Sequence, residues 1–342
     1  LRYGKRFLHE IEFGPHDQTQ WGRGLWKTLE DDLAGNTREA AFAMANNANY
    51  WWFDMWGGFY RNPKVRERIA ALKKVQDALK PAPSVAEVLI VCDSESLYHV
   101  NEKCPLERAF GQHLRNKLAR IAAPYDIYSF DDLPVLDMNR YKLVCLNSTL
   151  LITPERAKFL REKVCANGRT VLWCYAPGVT DGKTLDAGRV KDWAGVAFNA
   201  PGLNVTRLDG WTGVYAFDRT LLTPETLSRI AASAGVHLYA DAPAAVFAWG
   251  HALFSFEQLG QKTLVPIVIL SAPASSLTAS DVFHPATRFM LTASVAASVR
   301  EAAPIFSRIF LMWSFTVSRE TPAMSAISLF ENPLAIRFSI SS

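Results

Sequence analysis

The stretch Val88–Cys92 reads VLIVC and is apolar at all five positions. A strand of this kind is buried on both faces, as in a parallel sheet that helices cover on each side. Similar β-prone runs follow at Tyr125–Phe130, Tyr141–Leu146 and Thr170–Tyr175, separated by stretches with helical spacing. Strands that alternate with helices predict right-handed crossovers and an open, doubly wound α/β sheet.

Two helices of this region have matching start signals. Thr153-Pro154-Glu155 and Thr223-Pro224-Glu225 each place a capping threonine before a proline in the first turn. The glutamate that follows interacts favourably with the helix dipole. We expect these helices to end at Gly168 and Gly235, the second before a strand at Val236–Tyr239. A further helix is expected at about Leu106–Ile121.

The first 80 residues predict a β-α-β-α order. Arg6–Phe13 alternates with the period of a strand, and a run rich in helix formers starts at about Asn36. Tyr50–Met55 is a β-prone aromatic run, and Asn62 caps a helix that has Pro63 in its first turn. The sequence KPAPS at 80–84 can neither continue a helix nor join a sheet, so we place a domain boundary there.

Composition narrows the class of protein. With 342 residues, 49% hydrophobic and 20% charged, the chain has enough apolar surface for two globular domains. A net charge of +4 without a dense basic run does not favour nucleic acid as a partner. The longest apolar stretch, near Ala303–Val317, contains Arg308 and does not predict a membrane span. Five cysteines without C-x-x-C spacing predict reduced structural thiols and favour a cytoplasmic protein.

The two ends of the chain differ from its middle. The chain begins at Leu1 inside an expected strand, so we interpret it as a fragment. The last 77 residues contain no Gly, Lys, Tyr or Cys but fourteen Ser. They are either a genuine extra segment or a translation out of frame after about Val268. We predict that residues 269–342 form no packed domain.

Carboxylates and tryptophans lie at the ends of the first two predicted strands. Glu10 and Glu12 close the first strand, where catalytic groups of barrel enzymes collect. A glycosidase needs two carboxylates that flank the glycosidic bond. The alternative is that these glutamates are solvated or pair with Arg23. Trp51, Trp52 and Trp56 suit sugar faces or, alternatively, the packing of a buried strand.

Other groups give weaker signals. His9, His16 and Asp17 lack the spacing of a metal site, so we predict no metal and no cofactor. In the second domain, Asp93 and Asn147 follow strands at the edge where open α/β sheets bind ligands. Cys174 also ends a strand, but its surroundings lack the glycines of a nucleophile elbow.

Three stretches together resemble one enzyme family. They are KRFLHEIEFGPH, then WWFDMWGGFYRNP, and after the linker ITPERAKFLREKVCANGRTVLWCYAPG. The chain up to about residue 268 is similar to the family 42 glycoside hydrolases and their β-galactosidase-like relatives. In that family a TIM barrel precedes an amidotransferase-like α/β domain that mediates trimerisation.

The resemblance implies a domain assignment. Residues 1–80 would be the C-terminal end of a (β/α)8 barrel, 81–84 a linker and 85–268 a flavodoxin-like trimerisation domain. It also implies a carbohydrate substrate and a homotrimer. We expect Trp193 and Trp211 to be exposed and to contribute to that contact.

The resemblance also assigns roles to residues. Glu10 matches the nucleophile of the family, while Glu12, His16, Trp52 and Trp56 would contact substrate. The acid/base glutamate of the family lies on a strand outside this chain, so we expect the chain alone to be inactive. The alternative is a non-catalytic α/β module for oligomerisation or ligand binding, in which Glu10 is incidental.

Overall fold

The computed structural model describes most of the chain up to Trp249 and three later strands. The described residues are 7–12, 15–17, 26–54, 57–79, 83–101, 110 and 113–249, with the backbone of 252–259, 263–270 and 311–313. They fall into two compact units. Ala86–Ala245 form the second unit, and the first comprises the described residues up to Val85 and from Val246 onwards. None of the helices within the described residues is long and apolar enough to span a bilayer.

The first unit begins with the predicted β-α-β-α order. Its elements are β1 (Leu8–Ile11), α1 (Leu29–Ala45), β2 (Asn49–Trp52) and α2 (Pro63–Ala78). β1 and β2 pair in parallel, so α1 is the crossover between them. Asn62 caps α2 as expected, its side chain accepting from the N–H of Lys64.

Helix α1 starts seven residues before the predicted position. The Thr28 side chain accepts from Asp31 N–H at 3.1 Å and the Asp31 carboxylate accepts from Thr28 N–H, which is a capping box. Gly35 lies within this helix, and a Cβ at its position would collide with the ring of Trp26.

Four further strands belong to a second sheet. They are β9 (Ala245–Trp249), β10 (Ala252–Leu259), β11 (Thr263–Leu270) and β12 (Leu311–Trp313), in the order β12-β11-β10-β9. β11 pairs antiparallel with both neighbours. The prediction for the tail concerns residues that lie almost entirely outside the described part of the chain.

The second unit is a six-stranded sheet with helices on both faces. Its strands are β3 (Val88–Cys92), β4 (Tyr125–Ser129), β5 (Leu143–Leu146), β6 (Thr170–Cys174), β7 (Leu203–Leu208) and β8 (Trp211–Ala216). The order β4-β3-β5-β6-β8-β7 is parallel except for β7 at the edge. The predicted doubly wound α/β class is confirmed, and the order of its parallel strands is that of flavodoxin-like folds.

Both faces of the second sheet are buried because its central strands are apolar throughout. Leu89 and Val91 pack on one side, while Val88 and Ile90 pack on the other. The helices are α3 (Ser94–Leu97), α4 (Leu114–Leu118), α5 (Pro154–Phe159), α6 (Val190–Ala194) and α7 (Pro224–Ser233). Thr153 and Thr223 cap α5 and α7 as predicted. Of the helix expected at 106–121, the described part contains α4.

The predicted strand at Val236–Tyr239 is wrong. The N–H of Val236 donates to Ala231 O, that of His237 to the Glu87 carboxylate and that of Tyr239 to Ala122 O. These three N–H groups already have acceptors outside any strand, so they do not pair in a sheet. The prediction missed the hairpin β7–β8, which turns at Asp209-Gly210 with Gly210 at a φ of 77°.

The expectation for two tryptophans also needs correction. Trp193 is 5% exposed and packs on Trp173 with ring centroids 5.8 Å apart. A Cβ at Gly178 would collide with the same indole, so the chain passes close beside it. Trp211 is half-buried on β8. Trp193 is therefore a core residue and offers no surface for an oligomer contact.

Candidate active site

The strand pair β1–β2 has one face towards α1 and one open face. On β1, His9 and Ile11 face the helix: His9 Nε2 lies 3.1 Å from Glu39 and Ile11 is 1% exposed. Because side chains alternate along a strand, Glu10 lies on the other face and is exposed. Glu12, just beyond the end of β1, continues that alternation and is also exposed.

An indole lies beside these carboxylates. Glu10 pairs across the ladder with Trp51, and neighbours in register project from the same face of a sheet. Trp51 is 38% exposed, with Phe53 in edge contact at 5.2 Å. The open face thus presents two carboxylates and a broad aromatic surface at the carboxyl end of a parallel strand pair.

A buried polar chain runs along the helix face. His16 Nδ1 lies 3.0 Å from Asp32, Asn36 Nδ2 donates to Asp32 at 2.9 Å, and the Trp52 indole N–H donates to Asn36 at 2.7 Å. Asp32 is 2% exposed. Its burial raises the pKa of the carboxyl above the usual value, while the His16 contacts act in the opposite direction. The chain fixes the loop after β1 and the end of β2 to α1.

Tyr60 joins the ends of the two strands. Its hydroxyl lies 3.1 Å from Ile11 O and 3.2 Å from Phe53 O. Burial raises the pKa of this phenol, and the charges of Asp54, Asp32 and Glu12 raise it further. Tyr60 therefore stays protonated and remains a hydrogen-bond donor beside a group of carboxylates.

The structure separates the predicted site residues into two sets. Glu10 and Glu12 lie on the open face, and within the described residues neither forms an ion pair. His16 and Trp52 belong to the buried chain on the helix face. Trp56 lies outside the described residues, as does Arg23, the alternative partner of the glutamates. Whether any of these residues binds substrate stays a prediction.

Sequence reasoning missed Asp32, Asn36 and Tyr60. Asp32 and Asn36 are four residues apart on α1, so they lie on the same face of the helix. The other buried residues of this helix are mostly apolar. Polar residues in such positions are a signal for a buried network. In the part of the chain that the structure describes, no group of three His, Cys, Asp or Glu could hold a metal ion.

At the corresponding edge of the second sheet, Asp93 is already engaged in internal contacts. Asp93 follows β3, is 1% exposed and accepts two hydrogen bonds from Arg156 at 3.0 and 3.1 Å. Arg156 also pairs with Glu95 at 2.8 Å. Because this arginine already satisfies the buried carboxylate, Asp93 has little capacity left for a ligand.

Cys174 does not have the character of a nucleophile. It is fully buried, and burial raises the pKa of its thiol well above the usual value, with Cys145 adding to the effect. The reactive form of a cysteine is the thiolate, which this environment disfavours. Burial likewise raises the pKa of Cys145 and Cys165 to about 12.

Comparison with known proteins gives structural likenesses only. No family model matches the chain, and no curated protein matches it. A β-galactosidase from the haloarchaeon Halorubrum lacusprofundi is similar at 16% identity with a TM-score of 0.48. A β-galactosidase from the psychrophilic Marinomonas ef1 is similar at 13% identity with a TM-score of 0.46. Both likenesses cover 66% of this chain.

The chain spans less than half the length of either enzyme, 44% of the first and 45% of the second. At these identities and scores, the function of this chain has to be argued from its own residues.

Proposed function

We propose that this chain carries part of the active site of a β-galactosidase-like retaining glycoside hydrolase, which hydrolyses terminal glycosidic bonds of oligo- or polysaccharides. The observation that carries the proposal is the open face of β1–β2, where Glu10 and Glu12 lie beside the exposed indole of Trp51. Carboxylates supply the chemistry of glycoside hydrolysis, and an indole face suits the C–H face of a sugar.

The geometry of β1 favours Glu12 over Glu10 as the nucleophile, although the sequence resemblance matched Glu10. Catalytic groups of barrel enzymes lie at the carboxyl ends of strands. Glu12 follows the last residue of β1, whereas Glu10 lies inside the strand, about 6.6 Å deeper at roughly 3.3 Å per residue. Glu12 also lies close enough to Tyr60 to raise the pKa of its phenol.

The acid/base partner has to come from another element. In a retaining enzyme two carboxyl groups about 5–5.5 Å apart approach the glycosidic bond from different sides. Side chains that project in parallel from one strand cannot do this. We therefore assign Glu10 and Glu12 to one side of the bond, and expect this chain alone to show no turnover.

Covalent labelling tests the assignment. A 2-fluoro galactoside with a good leaving group traps the glycosyl-enzyme intermediate, and mass spectrometry of peptides locates it. The protein to use is the parent enzyme that combines this chain with the acid/base strand. Label on Glu12 supports the proposal, label on Glu10 restores the assignment from the resemblance, and label on neither excludes this site.

The resemblance further suggests that the second unit forms a homotrimer. Because Trp193 is buried, it cannot contribute to a trimer contact. The surface feature that supports a trimer is the edge strand β7, on which the apolar residues Leu203 and Val205 are 36% and 63% exposed. Sedimentation equilibrium of the parent protein should give a trimer mass, and Val205→Lys should shift it towards monomer. A parent protein that stays monomeric at micromolar concentration would exclude the idea.

A further inference from the structure

A concave site on the second unit lies far along the chain from the glutamates. A cavity of about 270 Å³ is lined by His113, Leu114, Asn116, Lys117 and Arg219. Among these side chains, His113, Lys117 and Arg219 carry basic nitrogen groups. The cavity is large enough for a tetrahedral oxyanion or a small monoester of one.

The hydrogen bonds in the cavity fix the role of each donor. Arg219 Nη1 lies 3.2 Å from His113 Nδ1, and since a guanidinium only donates, this ring nitrogen accepts. The proton of a neutral His113 ring is then on Nε2. The Lys117 ammonium donates to Arg219 O at 3.3 Å and has two further N–H groups. Lys117 thereby connects α4 to the turn that carries Arg219.

In the described part of the chain, neither Lys117 nor Arg219 is in a salt bridge. The carboxylate next to them is Asp218, which accepts from the Thr220 N–H at 2.8 Å. Hydrogen bonds from Thr220 lower the pKa of Asp218, and the charges of Arg219 and Lys117 lower it further. Among the described residues, two permanent cations and one imidazole therefore lie near one carboxylate, that of Asp218, which is already hydrogen-bonded.

We propose that this cavity binds a phosphate-class oxyanion, either inorganic phosphate or a small phosphate monoester. Arginine and lysine are the side chains that hold phosphate, arginine through two parallel N–H groups and lysine as a point charge. A neutral sugar would need acceptors for its hydroxyl protons, and among the lining side chains Asn116 is the one with an amide oxygen. The chemistry of this site is thus different from that of the glycosidase face.

Isothermal titration calorimetry of the full chain with sodium phosphate tests the proposal, at constant ionic strength with chloride as the balancing anion. We expect saturable binding of phosphate, with Arg219→Gln and Lys117→Gln each weakening the affinity at least tenfold. Lys191→Gln is the matched control, since Lys191 is an exposed lysine on α6. It removes the same charge from the same unit and should leave the affinity unchanged.

A second titration with glycerol phosphate separates the two sources of the oxyanion. Tighter binding of the ester than of inorganic phosphate indicates a phosphorylated metabolite, and equal or weaker binding indicates free phosphate. The proposal is overturned if phosphate binds no better than chloride, or if the Arg219 and Lys117 variants bind as tightly as Lys191→Gln. Circular dichroism spectra confirm that each variant is folded.

Discussion

The indole N–H of Trp52 donates to the Oδ1 of Asn36 over 2.7 Å, joining the end of β2 to the middle of α1. Asn36 is 4% exposed and also donates to the carboxylate and the carbonyl oxygen of Asp32. One buried amide therefore bonds to two other polar side chains, and its removal leaves the Trp52 indole N–H without its acceptor and the Asp32 carboxylate with His16 alone.

Asn36→Ala is expected to destabilise the protein by about 2–3 kcal/mol, because unpaired buried polar groups lose hydration without compensation. Urea denaturation followed by tryptophan fluorescence measures the change. Asn46→Ala, at the exposed end of the same helix, is the control and should cost less than about 1 kcal/mol. Equal losses of stability in the two variants would show that the buried hydrogen bonds of Asn36 contribute no more than an exposed side chain.

Glu12→Gly in the parent enzyme is expected to reduce kcat by at least about a thousandfold, and added azide should restore part of the activity. Loss of a nucleophile removes the covalent step, and a small anion can occupy the space that is left. Glu10→Gly is the matched control on the same strand face, with a loss of less than about tenfold. Azide rescue of Glu10→Gly instead would give Glu10 the role of nucleophile.

Trp51→Ala is expected to lower kcat/KM by about tenfold or more, mainly through KM, because the indole face would bind substrate rather than react. Steady-state kinetics on an aryl galactoside measures the effect. Tyr98, an aromatic residue of the second unit that is 84% exposed, provides the comparison. If Trp51→Ala and Tyr98→Ala have the same small effect, the open face of β1–β2 does not contact the sugar.

Arg169→Met is expected to cost about 3–5 kcal/mol of stability. Arg169 is 3% exposed and donates to the carbonyl oxygens of Tyr141, Lys163, Val164 and Met138, at 2.6 to 2.9 Å. A methionine fills the space but removes the guanidinium donors of all four carbonyl oxygens, of which that of Met138 keeps a backbone partner in the N–H of Tyr141. Chemical unfolding of this variant is compared with that of Arg207→Met, a change at an exposed residue of the edge strand. Similar denaturation midpoints of the two variants would contradict the prediction.

The stability of the second unit is expected to depend on pH through His237. Burial lowers the pKa of this ring below its usual 6.5, and Lys142 acts in the same direction while Glu87 opposes both. Tyr239 stacks edge-on against the ring at 4.6 Å, and the pKa of this phenol is itself raised by burial.

As pH falls below about 6.5, the unfolded chain binds a proton before the folded one does, so His237 favours unfolding. Its stabilising contribution is therefore complete above that pH and is lost as pH falls through the lowered pKa. Unfolding midpoints at about pH 5 to 7.5 should vary less in His237→Gln than in the unchanged protein. His99→Gln, at an exposed histidine of the same unit, should keep the original dependence.

The sequence was informative where a single local signal decides the structure. Val88–Cys92 is a strand as predicted, and Asn62, Thr153 and Thr223 cap their helices. In each case the deciding residues are adjacent in sequence. The turn Asp209-Gly210 was an equally local signal for the hairpin β7–β8 that sequence reasoning passed over.

The sequence was less informative where distant residues compete. The β-prone run at Val236–Tyr239 is not a strand because Glu87, about 150 residues away, accepts one of its N–H groups. Trp193 was expected to be exposed because it lies in a region predicted to be irregular, yet it packs on Trp173 of another element. In the candidate site, the alternation of β1 placed both glutamates on one face. The hydrogen bond from Trp52 to Asn36 could not be predicted, because it depends on how α1 packs against β2.

The pairing of Glu10 with Trp51 ties the proposed site to the register of β1. Side chains repeat every two residues along a strand, so a shift of β1 by one residue would turn both glutamates onto α1 and bring His9 and Ile11 to the open face. Ile11 in the core and His9 against Glu39 hold the strand against such a shift. Deletion of one residue between Phe7 and Glu12 would thus turn side chains of β1 to the wrong face and remove the proposed chemistry, although the composition of the chain would hardly change. The length of this stretch is therefore as much a requirement of the proposed site as the identity of its glutamates.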